Sequence, residues 1–261
     1  MPFSRYKKAK IYFTEIGKGS TVILLHGFLE TSLMWKDFLP SLSQKHRVLC
    51  IDLPGHGQSE CFGYTHSMDD MAGCVLAVLK TLRIRKAKLI GHSMGGYVAL
   101  AFADLYPDYT KGICLFFSTS RADSVQKKKD RSRAISVVKE NHTSFIRVAI
   151  PLLFRSKFRK LKKEAIKSVK EEALKTSKQG VIAALEGMKR RPSREILLKF
   201  PPYPIHIVSG KKDPIIPVST MEKQMNRSEN VSGIILNKPG HMGHIEAPEE
   251  CLRELMWFIK K

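Results

Sequence analysis

The sequence predicts an α/β protein: a mostly parallel central sheet flanked by helices, with an all-helical insertion. Three observations predict it. Short continuous apolar runs (Thr21 to Leu25, Arg47 to Leu53, Ala87 to Ile90, Gly112 to Phe117) alternate with longer stretches of helical periodicity, as strand-helix-strand units do in a sheet covered on both faces. From Arg121 to Arg194 the strand signal stops and only amphipathic helical stretches remain. Strand periodicity then resumes at Tyr203 to Val208 and Ser232 to Leu236. The division expected is a core of residues 1–120 and 200–261, with residues 121–199 as a basic helical cap. A chain of 261 residues with 43% hydrophobic content is long enough to bury such a core.

In order along the chain, PFSRYKKAKIYFTEIGKG reads as two short strands around a Lys-Lys turn, an edge hairpin. Thr21 to Leu25 is a buried strand that delivers His26-Gly27-Phe28 to a loop. Leu33, Met34, Trp35, Phe38 and Leu39 then sit at helical spacing, predicting a helix over Thr31 to Ser43 entered at Thr31 or Ser32. Arg47 to Leu53 is the next strand and runs into DLPGHGQS, where Pro and Gly set tight turns. Ser67 to Leu82 returns to helix, with Met71, Val75, Val78, Leu79 and Leu82 on one face. Helical stretches of the insertion include Arg133 to Val138 and Leu161 to Leu174, with interruptions expected at Pro151, Gly180 and Pro192. Pro248 to Lys260 closes the chain as a helix, with Glu249 and Glu250 complementing its N-terminal dipole.

The net charge of +21 raises a nucleic-acid or anionic-membrane reading. Its placement weakens that reading. Between Arg121 and Lys199 there are 23 Lys and Arg against 8 Asp and Glu, a net of +15, and these cations follow helical spacing with apolar residues between them. A solvated amphipathic face accounts for that pattern, so nucleic acid is not the expected partner. The five cysteines (Cys50, Cys61, Cys74, Cys114, Cys251) form no CxxC pair and no metal-ligand spacing, which favours reduced thiols. No stretch approaches the roughly 20 apolar residues that span a bilayer, and no apolar core follows the charged N-terminus. A soluble, uncleaved, cytoplasmic protein is expected.

Chemistry concentrates at LIGHSMGGYVAL, residues 89–100. Here an apolar strand breaks at Gly91-x-Ser93-x-Gly95 and resumes as a helix. A sharp strand-to-helix turn crowds the positions two before and two after the serine, and only glycine fits there. Ser93 would then stand at a helix N-terminus, clear of the sheet. A serine hydroxyl is a weak nucleophile without a base and a group to orient that base. Asp213, in the loop SGKKDPIIP, and His241, in KPGHMGHIEAPEE, each follow a predicted strand and so reach the same sheet edge. His244 is a second candidate base. His26 and His92 suit bracing hydrogen bonds, His56 a turn, Asp52 a tie for its Gly-rich loop, and His206 a core position.

HGF at 26–28, DLPGHGQS at 52–59, GHSMGG at 91–96, SGKKDPIIP at 209–217 and PGHMGHIEAPEE at 239–250 together resemble the α/β-hydrolase fold family with a helical cap. That resemblance implies Ser93 as nucleophile, His241 as general base and then acid, and Asp213 as its orienting partner. It favours His241 over His244, because the histidine directly after the loop glycine usually serves. It also implies an oxyanion hole from the backbone N–H groups of Phe28 and Met94. An aspartate at position 93 would have pointed to haloalkane or epoxide chemistry, which Ser93 argues against. The expected activity is cofactor-independent and metal-free hydrolysis of a carboxylic ester with a small or medium acyl group, and the basic cap would attract an anionic substrate. Thioester, lactone, amide and carbon-carbon substrates use the same triad in relatives. A polyanion-binding protein with a vestigial triad is the reading from another class. Phe117, Leu152 and Met188 are pocket candidates, although for the insertion's residues packing of the cap itself is the favoured explanation.

Overall fold

A computed structural model describes residues 2–261. The order of elements begins with strands β1 (Phe3–Tyr6), β2 (Ala9–Ile16) and β3 (Ser20–Leu25), then helix α1 (Leu39–Leu42), β4 (His46–Ile51) and α2 (Met68–Thr81). Strand β5 (Ala87–His92), helix α3 (Met94–Leu105) and β6 (Thr110–Phe116) complete the first half. The insertion carries α4 (Val125–Leu152), α5 (Ser156–Leu161), α6 (Lys163–Ala173), α7 (Lys178–Arg190) and α8 (Ile196–Lys199). The chain returns as β7 (Ile205–Gly210), α9 (Val218–Met225), β8 (Val231–Leu236), α10 (Gly243–Glu246) and α11 (Pro248–Lys260).

The eight strands form one sheet in the order β1-β2-β4-β3-β5-β6-β7-β8. β1 and β2 make the antiparallel edge hairpin, with Lys7 and Lys8 at φ of 45° and 72° across the turn. β2 also runs antiparallel to β4, and every later pairing is parallel. Register places the site. Leu25 pairs with Gly91, Gly91 with Leu115, and Phe116 with Val208, so four neighbouring parallel strands end level with one another. Their following loops open on one edge, where ligands bind in sheets of this kind.

The inner parallel strands β3 to β7 are buried over most of both faces, which is why they read as apolar runs, whereas β8 at the edge is only partly buried. In β3, Ile23 and Leu25 join the large apolar cluster with α2, α3 and the insertion, while Val22 and Leu24 join Trp35, Phe38 and the α11 residues Leu255 and Phe258. Ser67 and Ser124 cap α2 and α4 by accepting N–H bonds from Asp70 and Lys127, each cap adding about 1 kcal/mol.

Several local expectations give way. Thr31 to Ser43 is a 3₁₀ turn over Ser32–Trp35 followed by the single turn of α1, because Pro40 can enter only the first turn of a helix. Leu161 to Leu174 is shortened to α6 by a break at Lys162. Pro151 lies inside the last turn of α4, and the break in that helix comes earlier, at Asn141 with φ −149° and ψ 90°. Gly180 does not interrupt a helix either. It sits in the first turn of α7, where a Cβ would collide with the backbone of Gly55. The insertion therefore rests directly on the DLPGHGQS loop, and the His66 N–H donates to Ala183 O at 3.0 Å beside it. Arg194, only 6% exposed, ties the end of the insertion to Asp69 at 2.7 Å and Asp104 at 3.0 Å. All five cysteines are free, and all but Cys61 are buried. Among the described residues no helix is long and apolar enough to cross a membrane.

Candidate active site

The strand-to-helix turn after β5 puts Ser93 at φ 47° and ψ −111°, a conformation that non-glycine residues adopt only under constraint. The constraint is visible at both glycines. A Cβ on Gly91 would strike the carbonyl of Gly95, and one on Gly95 would lie 2.7 Å from His26 O and closer still to Leu25 O. The turn is held from the other side by Ser93 N–H donating to Phe116 O at 3.0 Å and by Ser118 Oγ donating to Ser93 O at 2.7 Å.

Ser93 Oγ lies 2.9 Å from His241 Nε2, and His241 Nδ1 lies 2.8 Å from Asp213 Oδ2. The Asp213 side chain is fully buried, and its other oxygen accepts N–H bonds from Ile215 at 2.7 Å and Ile216 at 3.0 Å. Those two donors fix the carboxylate plane, so Oδ2 is presented to the imidazole. Nδ1–H donated to a carboxylate leaves Nε2 as the basic nitrogen facing the serine. His241 is held in turn by its own N–H donating to Leu153 O at 3.2 Å.

Phe28 follows β3 and Met94 opens α3. Neither backbone N–H donates to a protein acceptor among the described residues. Met94 N–H is a first-turn helix donor, one of those that have no partner inside the helix. The loop carrying Phe28 is braced as expected: His26 donates from Nδ1 to Gly27 O at 2.7 Å, and its Nε2 accepts from Leu53 N–H at 2.8 Å. Asp52 accepts from Ser32 N–H at 2.8 Å and Gln58 N–H at 2.9 Å. His56 stays in its turn, Nδ1 lying 3.2 Å from Pro54 O. His206 is a core residue bonded to Ser232 Oγ at 3.0 Å and lying 3.3 Å from Glu254.

A serine on a strained elbow is thus met by a histidine and an aspartate from two later loops. The alpha/beta hydrolase fold family model matches residues 20–248. This chain belongs to the α/β-hydrolase fold family.

Within that family it is 29% identical over 250 residues to the dihydrolipoyllysine-residue acetyltransferase component of the acetoin cleaving system of Pseudomonas putida. The match covers 94% of this chain and 65% of that protein. The pimeloyl-[acyl-carrier protein] methyl ester esterase of Methylococcus capsulatus is 26% identical over 217 residues, covering 80% of this chain and 82% of that one. Among solved structures, a thermophilic esterase from Thermogutta terrifontis superposes with a TM-score of 0.92 at 29% identity, over 100% of this chain and 97% of that one. The chain thus spans less than two thirds of the length of the Pseudomonas relative.

Other sequence-derived candidates are placed differently from the serine, histidine and aspartate. His244 contacts neither Ser93 nor Asp213; its ring packs 5.2 Å from that of His92. Phe117 is fully buried between Phe116 and His92. Met188 is 3% exposed in the packing of α7, whereas Leu152 is half exposed at the end of α4. One residue escaped the sequence reading altogether. Glu30, 5% exposed, accepts Gly27 N–H at 2.7 Å and lies 2.6 Å from His92 Nδ1. The available signal was a lone carboxylate directly after the apolar run Gly27 to Leu29, too short a context to be read as a buried charge.

Proposed function

We propose that this protein is a serine hydrolase that cleaves a carboxylic ester through an acyl-enzyme on Ser93. The observation that carries the reading is the continuous hydrogen-bonded line from Ser93 Oγ through His241 to Asp213 on the elbow. Ser93 Oγ attacks the substrate carbonyl as its proton passes to His241 Nε2. Asp213 keeps the imidazole in the tautomer that can receive that proton, and stabilises the imidazolium that results. The negative charge that develops on the carbonyl oxygen faces the N–H groups of Phe28 and Met94 at the positive end of α3, where one donor is typically worth about 10²- to 10³-fold in rate. His241 then gives its proton to the leaving alcohol. Water, deprotonated by the same nitrogen, attacks the acyl-enzyme and returns Ser93 to its starting state.

An esterase among the similar solved structures and a methyl ester esterase among the relatives support an ester substrate. The basic insertion supports an anionic one, since a field of one sign raises the local concentration of oppositely charged substrate. With p-nitrophenyl acetate or butyrate in stopped flow, a burst of nitrophenol approaching one equivalent is expected, followed by slower turnover. Folded protein that gives neither burst nor turnover overturns the reading. For charge selection, kcat/KM for an anionic ester should fall with ionic strength while that for a neutral ester holds steady.

A further inference from the structure

Behind Ser93, one buried carboxylate and one buried imidazole connect three of the site's four loops, those carrying Phe28, Ser93 and His241. Glu30 Oε2 takes the Gly27 N–H from the Phe28 loop at 2.7 Å and sits 2.6 Å from His92 Nδ1. His92, 1% exposed, precedes Ser93 in the elbow, and its Nε2 lies 3.1 Å from the backbone carbonyl of His241. Both ring nitrogens of His92 therefore face oxygen atoms. A carbonyl oxygen can only accept, so Nε2 must carry a proton, and the short Nδ1 contact to a carboxyl oxygen needs another. Removing either proton sets two lone pairs against each other in a buried site.

Resting on the hydrolase reading above, we propose that Glu30 is a positioning residue: it keeps His92 doubly protonated, and His92 thereby fixes the backbone of His241 and the Gly27–Phe28 loop relative to Ser93. Burial alone would raise the Glu30 carboxyl, yet the charge and hydrogen bond of His92 and the Gly27 N–H hold it at about 2. Burial likewise opposes a charged His92, and the Glu30 carboxylate overcomes it, so the imidazole is held above its ordinary value. His26, His56, His241, His244 and Asp213 are the other titratable groups facing the pair. His244 is pushed by burial down to about 3 and stays neutral beside it.

Glu30, His92 and His244 also place three potential metal-ligand atoms within 4.8 Å of one another. A cation there would have to displace the proton on His92 Nδ1 and break the short bond to Glu30. Protonation satisfies His92 and Glu30 Oε2 without disruption; Glu30 Oε1 and His244 Nδ1 are buried without hydrogen-bond partners, and His244 Nε2 lies 3.8 Å from Glu30 Oε1.

Glu30→Gln is the informative change. Its amide oxygen can occupy the Oε2 position and accept from Gly27 and from Nδ1–H, but a neutral amide does not sustain an imidazolium. His92 then holds its single proton on Nδ1 and turns a lone pair towards the His241 carbonyl. We expect kcat to fall about 10- to 100-fold with KM within threefold, since misplacement of a catalytic group by ~1 Å costs about 10²-fold. Rates are taken per site titrated by a fluorophosphonate, so misfolded protein does not count. The wild-type enzyme should lose kcat as pH rises through the titration of His92, and the variant should lack that limb. A purely structural role would lower the titratable fraction and leave kcat per site and the pH profile unchanged, which overturns the proposal.

¹⁵N NMR of the His92 ring in the wild-type protein tests the pair without any variant. Two protonated nitrogens at neutral pH are expected; a single proton, on Nε2 with Nδ1 either bare or holding stoichiometric zinc, overturns it. Failure of Ser93 to titrate in the wild-type enzyme would instead count against the hydrolase reading and leave the NMR result standing on its own.

Discussion

Gly95→Ala adds a single methyl group where the elbow helix meets the end of β3. The new Cβ would lie 2.7 Å from His26 O and nearer to Leu25 O, whereas ordinary contact begins at 3.4 Å. Neither obstacle is a side chain that can rotate away; both are backbone carbonyls of the segment leading to Phe28. The helix and that segment must separate by about 1 Å, and overpacking of this kind costs about 1–3 kcal/mol of stability. The larger effect is expected on rate. Phe28 N–H and Met94 N–H lie on opposite sides of the forced gap, so moving them apart spoils a two-donor arrangement and should lower kcat/KM about 10²-fold or more. Ester hydrolysis in parallel with urea unfolding measures both terms. Gly63→Ala serves as a comparison, because a Cβ there meets nothing within 4 Å and only the strain of φ +65° remains. A Gly95→Ala enzyme with wild-type kcat/KM would refute the reasoning, since it would mean that the elbow and the Phe28 loop can separate without consequence.

Asp213→Asn should fold normally and lower kcat by about 10³- to 10⁴-fold, because the amide no longer enforces Nδ1 protonation of His241; steady-state assays and the thermal midpoint separate the two effects. Glu30 is held at about 2 against an ordinary 4.5, so its stabilisation is present above pH 4.5 and is lost as pH falls towards 2. Urea unfolding of wild type and Glu30→Gln should show their stability gap narrowing through that window, and a constant gap would contradict it. Burial pushes all five thiols up, but Cys50, Cys74, Cys114 and Cys251 are buried while Cys61 stays partly accessible. A disulfide reagent should therefore titrate one thiol quickly in the native protein and all five after denaturation.

What the sequence made legible follows from how local each signal is. Parallel strands buried on both faces write themselves as apolar runs, so β3, β4, β5 and β6 are readable at once, and the glycines flanking Ser93 state their own steric reason. Asp213 and His241 could be paired with Ser93 because each follows a strand, and parallel strands deliver their loops to one edge. Glu30 was not legible. Its charge is stabilised by a histidine 62 residues away in the sequence, and nothing within its own segment announces that partner. The short elements failed for a related reason: α1 is one turn built around Pro40, and Gly180 looks like a breaker until the backbone of Gly55 is set against it. The position of Leu152, half exposed rather than enclosed, likewise depends on how α4 lies over the sheet, which helical periodicity alone does not encode.

The central claim, that Ser93 is a nucleophile activated by His241, is tested most directly by reaction with a fluorophosphonate followed by intact-protein mass and peptide mapping. The account predicts one adduct per chain, on Ser93, absent in Ser93→Ala and strongly slowed in His241→Ala. Folded wild-type protein that takes up no label, or takes it up at another serine, would contradict it.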